Sequence, residues 1–260
     1  MKKTKIIINT KKPGSKNLSA RVRRLLKKHK MVCSKHPDFI MAIGGDGTLL
    51  TVAHRYGRTG IPILGVNSGG LGFLTDITLE RLDDMLTDVN AGRYILENRM
   101  VVQGKVGSTY LYGLNDLTIV TRVPGRAVEF SAIINSEYIC RFIADGIVIS
   151  TPTGSTAYSL ATGGPILLPH TEALIVTPIA PHTLSVRPIV LPADSIVEIH
   201  AGKKGKAQLV ADGQLNKVIR TNQKVVFKKA TYHVKLMKSV HTSFFSTLRE
   251  KMKWGGREHA

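Results

Sequence analysis

The stretch FIMAIGGDGTLLTVAHRYG, residues 39–57, sets an acid inside a glycine-rich loop. Asp46 follows an apolar run ending at Gly44 and Gly45, and it precedes Gly47, Thr48 and a second apolar run with helical spacing. Glycines between a strand and a helix let an anion approach the backbone, and the helix N-terminus adds unpaired N–H groups and a favourable dipole. This is not a Walker loop, because GxxxxGK[ST] and its phosphate-neutralising lysine are absent. A carboxylate in such a loop has two chemical uses: it stands beside a divalent cation, or it takes the proton of an attacking hydroxyl. Helix capping alone would not call for three glycines around it.

A second constellation is ADGIVISTPTGSTAYSLATGGP, residues 144–165. Thr151, Thr153, Ser155, Thr156 and Ser159 crowd hydroxyls around Pro152 and Gly154, where a strand gives way to a short helix closed by Gly163, Gly164 and Pro165. Small hydroxylated residues let a polar ligand meet the backbone, and Tyr158 adds a flat surface for a ring. Nucleotide recognition is the use expected of them. Asp145–Gly146 fits a two-residue hairpin turn between YICRFI and IVIS, and Asp212, in ADG between LVA and QLNKVI, fits another. His182 and Arg187, in a segment with four prolines, are open to phosphate contact or to a plain surface role. The nine histidines show no HxxxH spacing, so no tightly held metal is expected. Cys33 and Cys140 have no CxxC partner and are expected as reduced thiols.

The elements that must position these groups fall into two regimes. Up to about residue 95, strand and helix patterns alternate: KIIIN, a basic amphipathic stretch Ser15–Lys30, FIMAI, TLLTVAHRYG, IPILGV, and a helix over residues 78–92 that starts at a Thr cap and closes on a glycine. That pattern predicts an α/β unit with a parallel sheet. From 96 to 241 the segments are short, β-rich and punctuated by turns. The tail from 242 to 260 returns to helical spacing, with Phe244, Leu248 and Met252 on one face, and is expected to pack back on the body. The domains expected are therefore 1–95 joined by 242–260, and 96–241.

At 260 residues with 43% hydrophobic composition, the chain can build a sizeable core. No apolar run approaches the ~18 residues of a membrane span, and the N-terminus lacks the apolar centre of a signal peptide, so a soluble cytoplasmic protein is expected. The net charge of +19 is concentrated at the ends: residues 1–37 carry 13 Lys and Arg and no acid, and residues 202–260 carry 14 against 3 acids. Such ends suit polyanionic ligands or nucleic acid, but the basic runs lack interleaved aromatics, so nucleic acid is not the expected partner.

Taken in order, GGDGT at 44–48, NSGGLGFLT at 67–75, LND at 114–116, ADG at 144–146, STPTGSTAYSLATGGP at 150–165, TPIAPHTLSVRPIVLP at 177–192 and DGQ at 212–214 resemble the NAD kinases. GGDGT alone is shared with diacylglycerol kinases and 6-phosphofructokinases, whereas the ordered set is specific. The resemblance implies an α/β N-terminal domain, a β-rich C-terminal domain, an active site in the cleft between them, and phosphoryl transfer from ATP with Mg²⁺ to the 2′-hydroxyl of the adenosine ribose of NAD. By the same resemblance Asp46 is the catalytic carboxylate, with Gly44, Gly45, Gly47 and Thr48 toward the phosphate donor. Asn115 and Asp116 are the Asn-acid pair on the ribose and adenine side, with Asp116 one methylene shorter than the Glu often found there. Thr153, Thr156, Ala157 and Tyr158 line the dinucleotide, Asp145 meets its nicotinamide end, and Asp212 stands near the site. Phe73 either stacks on NAD or belongs to the core. A homodimer or homotetramer is implied, and polyphosphate is an alternative donor to ATP.

Overall fold

The first 92 residues alternate strand and helix in the order β1 (Lys3–Ile8), α1 (Ser15–Lys28), β2 (Val32–Cys33), β3 (Phe39–Gly44), α2 (Asp46–Tyr56), β4 (Ile63–Asn67), β5 (Ile77–Thr78) and α3 (Leu82–Ala91). The structure is a computed structural model and describes residues 1–9, 15–123, 126–202, 207–220 and 223–254. The chain divides into two units, Met1–Asn98 with Val234–Ala260, and Arg99–His233.

In the first unit β2, β1, β3 and β4 pair in parallel in that order, and β5 pairs parallel with β4. Phe39, Met41 and Ile43 point to one face, with Leu64 and Val66, where they meet Val22 and Leu26 of α1 and Leu82, Leu86 and Val89 of α3. The opposite face is covered by α2, whose Leu49 lies over Gly65. Every residue of β3 and β4 is therefore buried, as a sheet covered on both sides requires. In α1 the apolar positions recur at Leu18, Val22 and Leu25–Leu26, and Lys27 and Lys28 in the last turn complement the helix dipole.

The expected helix over 78–92 is shorter. Ile77 and Thr78 have their ladder partners in Val66 and Asn67 of β4, so α3 begins at Leu82, without a side-chain cap, and ends as expected at Gly92 in the left-handed region.

The second unit is a β-sandwich. It adds β6 (Ile95–Val106), β7 (Thr109–Gly113), β8 (Asp116–Thr121), β9 (Val128–Ile134), β10 (Glu137–Ala144), β11 (Gly146–Ser150), α4 (Tyr158–Ala161), β12 (Ala173–Ile179), β13 (Ile189–Pro192), β14 (Val197–Ala201), β15 (Ala207–Ala211), β16 (Leu215–Ile219) and β17 (Lys224–Lys238). One sheet runs β13-β12-β11-β8-β15-β16; the other carries β10-β9-β14-β17, with β6 on β17 and β7 on β6. The alternating burial of β9 and β15 shows one face of each sheet turned inward, onto a core that includes Phe130, Phe227, Leu117 and Leu209.

The strand β17 leaves the second unit and enters the first at Val234, where Leu236 and Met237 pair in parallel with Ile63 and Leu64. The return to the first unit thus starts inside a strand, ahead of the tail helix. That helix, α5 (Phe244–Met252), opens on a capping box between Ser243 and Ser246 and buries Leu248. It stops at Lys253 in the left-handed region, and the remainder of the expected 242–260 helix from 255 on lies outside the described residues.

Candidate active site

Asp46 is the first residue of α2, with Gly45 at the cap position and no side-chain cap bond. Its carboxylate turns instead to the segment that follows β4. Oδ1 accepts from the Leu74 amide at 3.1 Å, the Thr75 amide at 3.0 Å and the Thr75 hydroxyl at 2.8 Å, while Oδ2 accepts from the Phe73 amide at 3.0 Å. Three of these four bonds fall on Oδ1, so an acceptor direction remains on Oδ2. The approach depends on Gly72, where a Cβ would overlap Asp46 Oδ1.

The donors are themselves held. Asn67, buried at the end of β4, gives its amide to Thr75 Oγ1 at 2.9 Å, which directs the threonine proton to Asp46, and its own Oδ1 takes the Gly69 amide at 2.7 Å. Behind the segment, the ammonium of Lys238 meets Leu74 O at 3.0 Å and Asp76 Oδ1 at 3.1 Å, and Thr242 donates to Asp76 Oδ2 at 3.2 Å. In the loop itself Gly44 leaves room for the Thr48 hydroxyl, whereas a Cβ on Gly45 would project into open space and Gly47 is exposed. Internal packing does not call for glycine at Gly45. Phe73 is half-buried, its ring 6.3 Å from that of Phe244 with Lys251 Nζ 6.0 Å above it, so in this structure it packs with α5.

The second unit holds a cavity of about 350 Å³ lined by Asn115, Asp116, Ala157, Tyr158, Asp212 and Gly213 among others. This lies at the lower end of the range for small-molecule sites. The Asp212–Gly213 pair is indeed a hairpin turn: both residues have positive φ, 48° and 65°, and Ala211 pairs with Leu215. It is also more than a turn. The Asp212 carboxylate accepts from the amides of Leu114, Asn115 and Asp116 at 2.9, 2.8 and 3.0 Å, which pins the start of β8 to the cavity wall. The Asp116 carboxyl, buried and bonded by the Thr118 hydroxyl at 3.1 Å, is pushed up to about 7 by desolvation and then by the neighbouring Asp212 charge. Tyr158 opens α4 and is 42% exposed, and Ala157 is half-buried beside it.

The hydroxyl-rich loop does something other than expected. Thr151, Ser155 and Ser159 are fully buried. Their hydroxyls bond Leu114 O at 2.6 Å, Pro152 O at 2.7 Å and Thr177 Oγ1 at 3.0 Å respectively. These groups clasp the loop to itself, to the residue pair before β8 and to β12, because a loop brought this close to a sheet must satisfy its polar atoms locally. The clasp needs Gly154, where a Cβ would overlap Asn115 O. Thr153 is also buried, with Arg99 Nη1 at 3.4 Å from its hydroxyl, while Thr156 stays half-buried.

Asp145 is not in a hairpin. β10 pairs with β9 in one sheet and β11 with β8 and β12 in the other, so Asp145 marks the corner where the chain changes sheets. Its side chain is exposed and outside the cavity lining. The close approach of Gly146 to Ile119 O, not a turn requirement, accounts for the glycine. His182 and Arg187 are exposed. Sequence reasoning missed Thr75 as a partner of the acid, and Asn67 and Lys238 as the groups that hold its donors; NSGGLGFLT was visible as a motif, but nothing in it points at Asp46.

Comparison with known proteins follows the same division. Residues 9–94 match the family model of the ATP-NAD kinase N-terminal domain, and residues 114–239 that of the ATP-NAD kinase C-terminal domain. An NAD kinase of Koribacter versatilis is 40% identical over 234 residues, covering 87% of this chain and 81% of its own. One from Bacteroides fragilis is 39% identical over 222 residues, covering 84% and 77%. Among solved structures, an NAD kinase from Archaeoglobus fulgidus in complex with ATP superposes with a TM-score of 0.83 at 25% identity, over 98% of this chain and 100% of that one. A yeast NADH kinase complexed with NADH shares the fold, with a TM-score of 0.88 at 21% identity, over 99% and 89%.

Proposed function

The chain belongs to the ATP-NAD kinase family, and from that premise we propose that Asp46 Oδ2 accepts the proton released in the reaction. The enzyme transfers a phosphoryl group from ATP to NAD. As the 2′-oxygen of the adenosine ribose bonds to the γ-phosphorus, the bond from that phosphorus to the β–γ bridging oxygen breaks, ADP departs, and the hydroxyl proton passes to the carboxylate. The observation that carries this reading is the division of labour at Asp46. Oδ1 is saturated by three donors that hold the group still, and Oδ2 keeps a direction free for the incoming proton. The open space at Gly45 and the N-terminus of α2 suit the donor phosphates. A divalent cation accompanying ATP would supply charge neutralisation at the phosphates; among the described residues no cluster of His, Cys, Asp or Glu gathers to hold an ion alone.

NAD's adenosine portion is assigned to the cavity of the second unit, with Asn115 and Asp116 toward the ribose and adenine, Tyr158 against a ring, and Asp212 holding the wall. The basic ends attract the polyanionic donor, ATP or polyphosphate. Self-association into a homodimer or homotetramer is supported by Tyr138, Ile139, Ile189 and Val190, exposed apolar residues on the edge strands β10 and β13. The protein is assigned to the cytoplasm, and among the described residues no helix is long and apolar enough to cross a membrane.

A coupled assay of NADP formation with NAD and ATP or polyphosphate tests the reading. Asp46→Asn keeps size and most hydrogen bonding but cannot take the proton, so turnover should fall ~10²-fold or more while NAD affinity stays within a few-fold. Near-normal turnover in that variant would return Asp46 to a structural role.

A further inference from the structure

We propose that Lys238 is a positioning residue for Asp46, acting through the Leu74–Thr75 peptide group; the proposal rests on the reading of Asp46 as the proton acceptor. The geometry is a three-part relay within one unit. The Lys238 ammonium donates to the carbonyl oxygen of Leu74 at 3.0 Å, and the N–H of that same peptide, on Thr75, donates to Asp46 Oδ1 at 3.0 Å. A peptide group is planar and stiff, so a bond that orients its carbonyl also orients its N–H. A positive charge at the oxygen further polarises the group and strengthens the N–H as a donor, the cooperative effect expected where little water screens it.

The surroundings fit such a role. The side chain of Lys238 is 8% exposed and that of Asp76 10%, so the ammonium is held away from solvent beside a carboxylate that balances its charge. Asp76 is itself fixed by the Thr242 hydroxyl, just beyond β17. A second cation near the segment, Lys251 on α5, reaches the Phe73 ring and not the peptide. On α2 the first charged or titratable residues after Asp46 are His54 and Arg55, two turns away. Asn67 and Thr75 hold the hydroxyl donor to Asp46, and Lys238 is the group that holds the amide donor from behind. The ammonium has three N–H donors, and besides the Asp76 carboxylate the acceptor it meets is this carbonyl.

Removing Lys238 alone would leave Asp76 buried without its partner, so the variant to use is Lys238→Met with Asp76→Asn, which deletes both charges together. Turnover and the KM values for NAD and ATP are measured for this pair, for Asp46→Asn, and for the triple variant, with folding followed by circular dichroism. In the Asp46 background the paired exchange is expected to lower kcat about tenfold or more, with both KM values within about twofold, because a misplaced base loses transition-state stabilisation and not binding. In the Asp46→Asn background the same exchange is expected to cost less than about twofold, since no carboxylate is left to position. Equal losses in the two backgrounds, a change confined to KM, or no loss would overturn the proposal and make Lys238 a structural group. Should the pair fail to fold, Lys238→Gln with Asp76→Asn, which removes both charges together and keeps a polar donor near Leu74, is read in both backgrounds: a kcat loss confined to the Asp46 background supports the proposal, and equal losses or none overturn it. Near-normal turnover of Asp46→Asn by itself would instead overturn the reading of Asp46, so the two failures are distinguishable.

Discussion

The buried carboxyl of Asp116 is expected to make stability and NAD binding depend on pH in opposite directions. Burial and the Asp212 charge raise it from 3.8 to about 7 in the folded protein. Between those values the native state keeps a proton that the unfolded chain has released, so the native state binds more protons and stability falls as pH rises. The loss begins above the unfolded value and is complete once pH passes the folded one. A displacement from 3.8 to about 7 corresponds to at most about 4 kcal/mol. Asp116→Asn provides the control, because asparagine mimics the neutral acid and keeps an oxygen for the Thr118 hydroxyl. Urea denaturation of both proteins from pH 4.5 to 8.5 should give similar stabilities at the acid end and a more stable variant at the alkaline end. Glu80, lowered by a backbone hydrogen bond, and Asp83, lowered by its bond from Lys28, titrate at more acid pH and act alike in both proteins. NAD affinity should move the other way: if the ribose hydroxyls donate to an ionised Asp116, calorimetric affinity falls up to about tenfold per pH unit below 7, and the slope disappears in Asp116→Asn. Parallel stability curves for the two proteins across this range would refute the assignment of the raised value to Asp116.

Tyr158→Ala should weaken NAD binding ~10-fold or more with ATP affinity little changed, because an aromatic face and its buried area are lost, and Tyr158→Phe should be nearly silent; titration calorimetry with NAD alone decides this, and unchanged affinity would remove Tyr158 from the site. Ser159→Ala should cost about 1–2 kcal/mol of stability by depriving the buried Thr177 hydroxyl of its partner, while NAD affinity stays within about twofold. A tenfold loss of affinity with unchanged stability would restore the serine as a ligand contact.

The elements were legible wherever a local pattern carried them. FIMAI and IPILGV appear as β3 and β4 because continuous apolar runs suit strands buried on both faces, and Gly92 ends α3 because a left-handed residue there favours glycine. Thr78 was misplaced as a cap because its competing partner, Asn67 in β4, is supplied by sheet pairing that no local window contains. Asp145–Gly146 has the composition of a hairpin turn, yet its flanking strands belong to different sheets, and partner choice among strands is a non-local matter.

The same boundary runs through the site. The sequence by itself determined the family, through the order of its motifs, and it set Asp46 as the acid in the glycine loop; the roles given to Asn115, Asp116 and Tyr158 rest on the proposal above. Tertiary structure decided what each does to its neighbours. It spent the hydroxyls of Thr151, Ser155 and Ser159 on holding their own loop, and it made Asp212 the anchor of three amides nearly a hundred residues away. It also brought Lys238 to the peptide that holds Asp46, across a separation of 164 residues. Residue type and spacing state which groups can donate, accept or carry charge; which donor meets which acceptor follows from chain closure and burial, because a polar group taken from water must find its partner wherever the fold has put one.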